Sequence, residues 1–328
     1  MLTAILVGLA MGVTVSISHA VGAKKHTLVE KTIGNTITLF ACISIISTLL
    51  LLIFVKPLVV LLNVPQEAIS GTIQYLIICF IGIPFITAYN IISSIYRGLG
   101  DSKSPMYIIA IACLLNIVLD YLFIGLFHMG PIGAALGTTV SQSVSVIIAL
   151  ISMKYRTSDI HIKKEDLHLQ PQVFKQILKV GFPVAIQDGC IQVAFIIITI
   201  IANSRGLNDA AAVGIVEKMI TAIFIIPSTM LATVSALSAQ NIGAKDYGRA
   251  RAVLKYAVMI TTLYGIIVAL IVEFCAPTLL GLFTKDTTVI LLGVQYISSY
   301  IIDTIFAGIH FSFSGYFAAD GKSYIGFI

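Results

Sequence analysis

Four carboxylates stand where an apolar chain has little use for charge. Asp120, Asp188, Glu217 and Asp303 all fall inside long hydrophobic runs. An unpaired charge at the centre of a membrane helix costs roughly 2.5–3.5 kcal/mol on insertion scales, so each is a candidate functional group. The sharpest constellation surrounds Asp120. Asn116 precedes it by four residues and therefore shares its helical face, while Thr138 lies on the next run, beyond a Gly130-Pro131 turn. Carboxylate, amide and hydroxyl oxygens together suit a hard cation such as Na⁺, and the carboxylate alone can carry a proton if burial raises its pKa. The alternative reading is that Asp120 only caps or hydrogen-bonds a neighbouring helix.

Glu217 and Lys218 are adjacent and diverge by about 100° around a helix, so each needs its own partner on another helix or a water-filled cavity. Glu217 is therefore a cavity group that attracts a cationic substrate or carries a proton, or else one half of a fixed interhelical ion pair. Ser299, Asp303, His310 and Ser314 step by four, seven and four, which puts a polar stripe on one face of a single helix, with Phe311, Phe313 and Tyr316 close by. Asp188, with Gln187 and Gln192, forms a smaller polar patch. Asp188, Glu217, Asp303 and His310 are thus the expected lining of a substrate cavity. Glu273 lies near the end of its run and can snorkel to the surface.

The elements that must carry these groups are membrane spans. The chain is 58% hydrophobic and 11% charged with a mean hydropathy of +1.01, values that belong in a bilayer. Nine runs are long enough to cross a ~30 Å hydrocarbon layer as helices: about 2–21, 32–55, 72–96, 105–127, 132–153, 180–202, 210–239, 253–279 and 289–318. The first carries neither a charged preface nor a small-residue cleavage motif and reads as a span. Pro84 and Pro227 should kink two of them. Taken alternately, with Lys255 at the edge of its run counted with the adjoining loop, one set of loops holds 16 of the 20 basic residues, the other holds Lys56, Arg205 and Lys285, and Lys218 is left over within a span. The positive-inside rule makes the rich set cytoplasmic, that is, the loops after the first, third, fifth, seventh and ninth spans of a multi-pass cell-membrane protein. Basic residues scattered in this way exclude a nucleic-acid surface. Cys42, Cys79, Cys113, Cys190 and Cys275 occur singly without metal-type spacing and are expected as small buried apolar residues.

The chain also repeats itself. His19-Ala20-Val21-Gly22-Ala23-Lys24 and Gln240-Asn241-Ile242-Gly243-Ala244-Lys245 lie 221 residues apart, and Gln74-Tyr75 recurs as Gln295-Tyr296 at the same offset. A period of that length is the right size for half of a duplicated membrane protein. The expected fold is an all-α integral membrane protein of two six-helix bundles in a twelve-helix plan, with about nine spans present. Residues 1–157 would form a first bundle lacking its first helix, 158–172 a cytoplasmic linker, and 173–328 a second bundle lacking its last two. A chain so shortened is expected not to transport alone. Phe174, Ile177 and Leu178 alternate with Lys175, Gln176 and Lys179, as in a short interfacial helix before the next span. His161 and His168 in the linker lack further nearby ligands and read as solvated.

These motifs together resemble the multidrug and toxic compound extrusion (MATE) family of secondary transporters. The resemblance is carried by Gly22-Ala23-Lys24, the stretch from Arg97 through Gly98-Leu99-Gly100-Asp101 to Pro105, Asn116-Ile117-Val118-Leu119-Asp120, Gly133-Ala134-Ala135-Leu136-Gly137-Thr138, and Gln240-Asn241-Ile242-Gly243-Ala244 with Arg249-Ala250. It implies two bundles facing a central cavity and export of organic, often cationic, drugs in exchange for Na⁺ or H⁺, by a monomer without a cofactor. It also implies that Asn116, Asp120 and Thr138 match the family's cation site, whose further acidic ligand comes from the first helix. A flippase of lipid-linked precursors in the same broad superfamily is the alternative, but it would call for several cations at depth to hold pyrophosphate. An enzyme is not expected: paired aspartate motifs, HExxH and GxxxxGK[ST] do not occur.

Overall fold

The computed structural model describes residues 2–61, 66–156, 163–168 and 170–327, so part of the expected linker, His161 included, lies outside the described residues. In chain order the helices are α1 Leu2–Gly22, α2 His26–Ile53, α3 Val55–Leu61, α4 Ile69–Leu99, α5 Lys103–Asp120, α6 Gly130–Arg156, α7 Pro171–Arg205, α8 Leu207–Ile223, α9 Ile225–Gly243, α10 Tyr247–Gly281, α11 Thr287–Tyr300, α12 Asp303–Ala319 and α13 Tyr324–Phe327. No strand occurs among the described residues. Eight spans cross-match the hydropathy reading, and a ninth forms only if α11 and α12, bent by 40° at Ile301–Ile302, count together. The expected last span, 289–318, is thus a pair of helices that meet at a bend.

Two other expectations change. The amphipathic start at Phe174–Lys179 is the first turns of α7, continuous with the span, because its buried side chains Val173, Ile177, Val180 and Val184 keep one helical period throughout. The cysteines are not buried: Cys42, Cys113, Cys190 and Cys275 are exposed and Cys79 is half-buried. A thiol is apolar enough to face lipid, so a bilayer removes the pressure to bury it.

The helices form two compact units, Lys25–Ile177 and Met1–Lys24 with Leu178–Ile328. α1 thus falls in one compact unit with the helices from Leu178 onward. In the Lys25–Ile177 unit, α4 packs on α2 and α6, and α5 packs on α6. Its core joins Ile92, Tyr96, Ile108, Val146 and Ala149. A short 3₁₀ turn at Lys164–Leu167 docks on α2: Asn35 Nδ2 donates to Asp166 O (3.2 Å), Thr38 Oγ1 to Leu167 O (2.7 Å), and the Gln170 N–H to Asn35 Oδ1 (2.5 Å).

In the other unit α9 is central, flanked by α1, α10 and α12, with Met11, Val15, Leu231 and Ala318 among the buried contacts. Here the sequence repeat becomes physical. A Cβ built on Gly22 would overlap the Gln240 carbonyl oxygen, and one on Gly243 would overlap that of His19. His19 and Gln240 are themselves 221 residues apart, so the two copies cross through a reciprocal contact that only glycine permits. Their turns match bond for bond. Lys24 N–H reaches Val21 O and Lys245 N–H reaches Ile242 O, both at 2.9 Å, and both lysines adopt left-handed φ values of 56° and 63°.

Two prolines free carbonyls that other segments of the chain then satisfy. Pro227 has no N–H for Ile223 O, and the helix is interrupted at Phe224, but Tyr264 Oη on α10 donates to that oxygen at 2.9 Å. Pro183 likewise frees Lys179 O, which receives Ser323 Oγ at 3.0 Å. Tyr264→Phe should therefore lower unfolding free energy by about 1–3 kcal/mol, the cost of a buried acceptor left unmade. Tyr256→Phe, an exposed position on the same helix, should leave it unchanged. Denaturation in detergent compares the two.

Candidate functional site

Asp120 is the last residue of α5, and the hydrogen bonding loosens immediately after it into a π-helical turn over Tyr121–Leu126. That turn is closed by Phe127 N–H on Leu122 O at 2.9 Å. A π turn widens the helix by one residue and re-aims the side chains beside it, a device common at functional sites. Gly133 on α6 admits the turn closely: a Cβ there would stand 3.0 Å from Phe123 Cβ.

One turn further along α6, Gly137 faces the acid itself. A Cβ built on Gly137 would overlap Asp120 Oδ1 and lie 3.5 Å from Asn116 Nδ2. Asn116 Nδ2 donates to Asp120 Oδ1 at 3.4 Å. Carboxylate and amide thus share a half-buried recess whose floor is the bare backbone of Gly137. With its amide nitrogen turned toward the acid, Asn116 screens the charge, and both oxygens of Asp120 keep lone pairs for a cation or a proton. Thr138, the third expected ligand, is exposed, and its hydroxyl donates to Ala134 O at 3.1 Å, leaving its oxygen free to accept. The structure brings Asn116 and Asp120 together, with Thr138 one residue beyond the floor of the recess. Sequence reasoning did not single out Gly137. The signal for it was the Gly133-Ala134-Ala135-Leu136-Gly137 spacing, which allows close helix approach in membranes.

The remaining acids belong to the other unit. Glu217, half-buried on α8, accepts the Thr199 hydroxyl of α7 at Oε1, 3.1 Å away. Among the described residues it makes no ion pair, and Lys218 is exposed on a different face. Thr199 carries no sequence signal, because only folding brings α7 beside α8. Tyr300 lies within electrostatic reach of both Glu217 and Asp303, and its ring meets those of Tyr296 and Phe224 in tilted contacts with centroids 6.0 and 5.9 Å away. An acidic and aromatic cluster therefore gathers at the break between α11 and α12.

That break also divides the expected stripe: Ser299 is on α11, while Asp303, His310 and Ser314 are on α12. His310 Nε2 stands 3.0 Å from Gln187 Nε2 and 3.5 Å from Ser314 Oγ, so the imidazole ties α12 to α7. Phe311 belongs to the apolar core rather than to a polar cavity. Asp188 is half-buried beside Gln187. An apolar cavity of about 730 Å³ opens between α1 and α7, lined by Leu9, Phe182, Ile186, Gly189 and Val193 among others. Asp188 immediately precedes its Gly189, but none of Asp188, Glu217, Asp303 and His310 lines it. Among the described residues no cluster of His, Cys, Asp and Glu could hold a metal ion of the multi-ligand kind.

Comparison with known proteins follows the same lines. The family described as MatE matches residues 1–122 and 183–328. The "Probable multidrug resistance protein YpnP" of Bacillus subtilis is 31% identical over 263 residues, covering 80% of this chain and 58% of its own length. "Probable multidrug resistance protein YoeA" of the same organism is 24% identical over 293 residues, 87% of this chain and 63% of its own. The chain thus spans less than two thirds of either relative. Among solved structures, one titled an outward-facing conformation of a multidrug resistance MATE family transporter superposes with a TM-score of 0.93 at 20% identity, over 99% of this chain and 73% of that one. A MOP superfamily transporter from Pyrococcus furiosus, whose title reports reverse polarity of its binding pocket, gives 0.92 at 20%, with the same coverage.

Proposed function

Because the chain belongs to the MatE family of multi-pass membrane proteins, we propose that it is part of a secondary active transporter that exports organic, cationic compounds from the cell in antiport with Na⁺ or H⁺. The observation that carries this reading is the Asp120 and Asn116 recess over Gly137, a charge held inside a membrane helix with oxygen lone pairs to spare. Asp120 binds the coupling ion or proton, Asn116 orients it, and Thr138 completes the oxygen set. Energy comes from the ion gradient, so no cofactor takes part and no bond is made or broken in the substrate. The duplicated halves at 1–157 and 173–328 are the two bundles of the carrier, 158–172 is their cytoplasmic linker, and the cell membrane with lysine-rich loops inside is its setting. It works as a monomer.

The second half supplies the attraction for substrate. Glu217, Asp303 and Asp188 make the spans acidic, His310 fixes the polar line of α12, and Lys218 stands beside Glu217 well away from either end of its span. This balance favours a cation over the pyrophosphate of a lipid-linked precursor, which is the second reading. Glu217→Gln keeps an acceptor for Thr199 and removes only the charge. It should raise the half-saturating concentration of a monovalent organic cation about tenfold, equivalent to ~1.4 kcal/mol, with a neutral drug unaffected. Equal affinity of wild type and variant for the cation, measured by fluorescence titration, would leave Glu217 a structural role only. Competition by an undecaprenyl-type pyrophosphate instead of by organic cations would favour the flippase reading.

A further inference from the structure

α10 has 35 residues, so it measures about 52 Å, well beyond a ~30 Å hydrocarbon layer. Its basic residues, Arg249, Arg251 and Lys255, all lie near the amino end, and there the outward face changes character. Ala250, Ala257, Thr261 and Gly265 turn inward and are buried. On the outer side, Arg251, Lys255, Met259 and Leu263 step by four along one ridge, all exposed, and the ridge continues to exposed Leu270. Read along the helix, it is two cations and then a purely apolar wall, with the exposed ring of Tyr256 at the change. Aromatic rings that present an apolar body and a polar tip favour that depth in a membrane.

Among the described residues the two cations have no counter-charge of their own. Asp246, the acid at this end of the helix, caps the Arg249 N–H at 2.9 Å and pairs with the Arg249 side chain at 4.0 Å. Arg251 and Lys255 form no ion pair among the described residues. They are one helical turn apart, about 6 Å in rise, close enough for a single phosphodiester to meet both, the guanidinium as a fork and the ammonium as a point charge.

We infer that Arg251 and Lys255 form a headgroup site for an anionic phospholipid, whose acyl chains lie along Met259, Leu263 and Leu270. The match is one of charge and depth together: phosphate at the cations, glycerol backbone at Tyr256, hydrocarbon below. A zwitterionic lipid fits the apolar wall equally well but brings its own cation to the phosphate. The site therefore selects for net negative headgroups such as phosphatidylglycerol. Each basic residue near a membrane surface contributes about fivefold to such binding, so the pair contributes on the order of 25-fold. The site depends on the membrane setting and not on what the protein carries.

The test uses the whole protein reconstituted in vesicles of phosphatidylcholine and phosphatidylglycerol at 3:1, extracted gently and analysed for retained lipid by native mass spectrometry. Wild type should retain phosphatidylglycerol in preference to phosphatidylcholine. The double variant Arg251→Gln with Lys255→Gln should lose most of that preference, while the exchanged pair Arg251→Lys with Lys255→Arg keeps it and reports intact folding. Arg205→Gln with Lys285→Gln removes the same charge elsewhere and should behave as wild type. Undiminished preference in the α10 double variant, or an equal loss in the Arg205 and Lys285 control, overturns the site. Retention of a second protein copy in place of lipid would also overturn it.

Discussion

Asp120→Asn should reduce gradient-driven export on the order of a hundredfold, the consequence of removing one charged partner from a partly buried site at a cost of about 3 kcal/mol. Asparagine matches aspartate in shape, so the α5 and α6 contact should survive and the protein should accumulate normally. The charge alone is lost. Drug binding, which the proposed function assigns to the acids of the other unit, should weaken less than export. Asn116→Ala and Thr138→Ala should shift the ion dependence by smaller amounts, since each removes one neutral oxygen. Export by Asp120→Asn equal to wild type under both Na⁺ and proton gradients would move the coupling role to Glu217 or Asp303.

Gly137→Ala should impair coupling without touching any charge. The added methyl would occupy the space of Asp120 Oδ1, so the carboxylate must turn away or the helices must part. Overpacking of this kind costs about 1–3 kcal/mol, which corresponds to about 5- to 150-fold in ion affinity if the recess bears the strain. Gly71→Ala is the control, because nothing lies within 4 Å of a Cβ there, and helix propensity favours alanine. Titration of the ion dependence of export separates the two variants. Unchanged ion affinity in Gly137→Ala would mean that Asp120 does not need the glycine floor.

Hydropathy and the 221-residue offset made the spans and the duplication legible, because both depend on composition over long windows. The reciprocal crossing of Gly22 and Gly243 was legible in part: the repeat marked the residues, but only packing reveals that each copy seats on the other. The 40° bend at Ile301–Ile302 left no trace, since neither residue breaks a helix and hydropathy is the same on both sides. The π turn after Asp120 was invisible for the same reason. The partnership of Asn116 with Asp120 followed from helical spacing alone, whereas Thr199 with Glu217 joins two helices and needed the fold. Cysteine burial was misjudged by applying a water-soluble rule to a chain whose solvent is lipid.

The central claim is that the gradient of a small cation drives export through Asp120. Its most direct measurement is efflux of a fluorescent organic cation from proteoliposomes holding the protein with any sequence that flanks residues 1–328 in its gene, Na⁺ and pH gradients being imposed separately. Export that accelerates under an inward gradient of one ion, collapses when that gradient is dissipated, and is lost in Asp120→Asn is the predicted result. Export at the same rate with neither gradient, or with a gradient dependence that Asp120→Asn leaves intact, would contradict it.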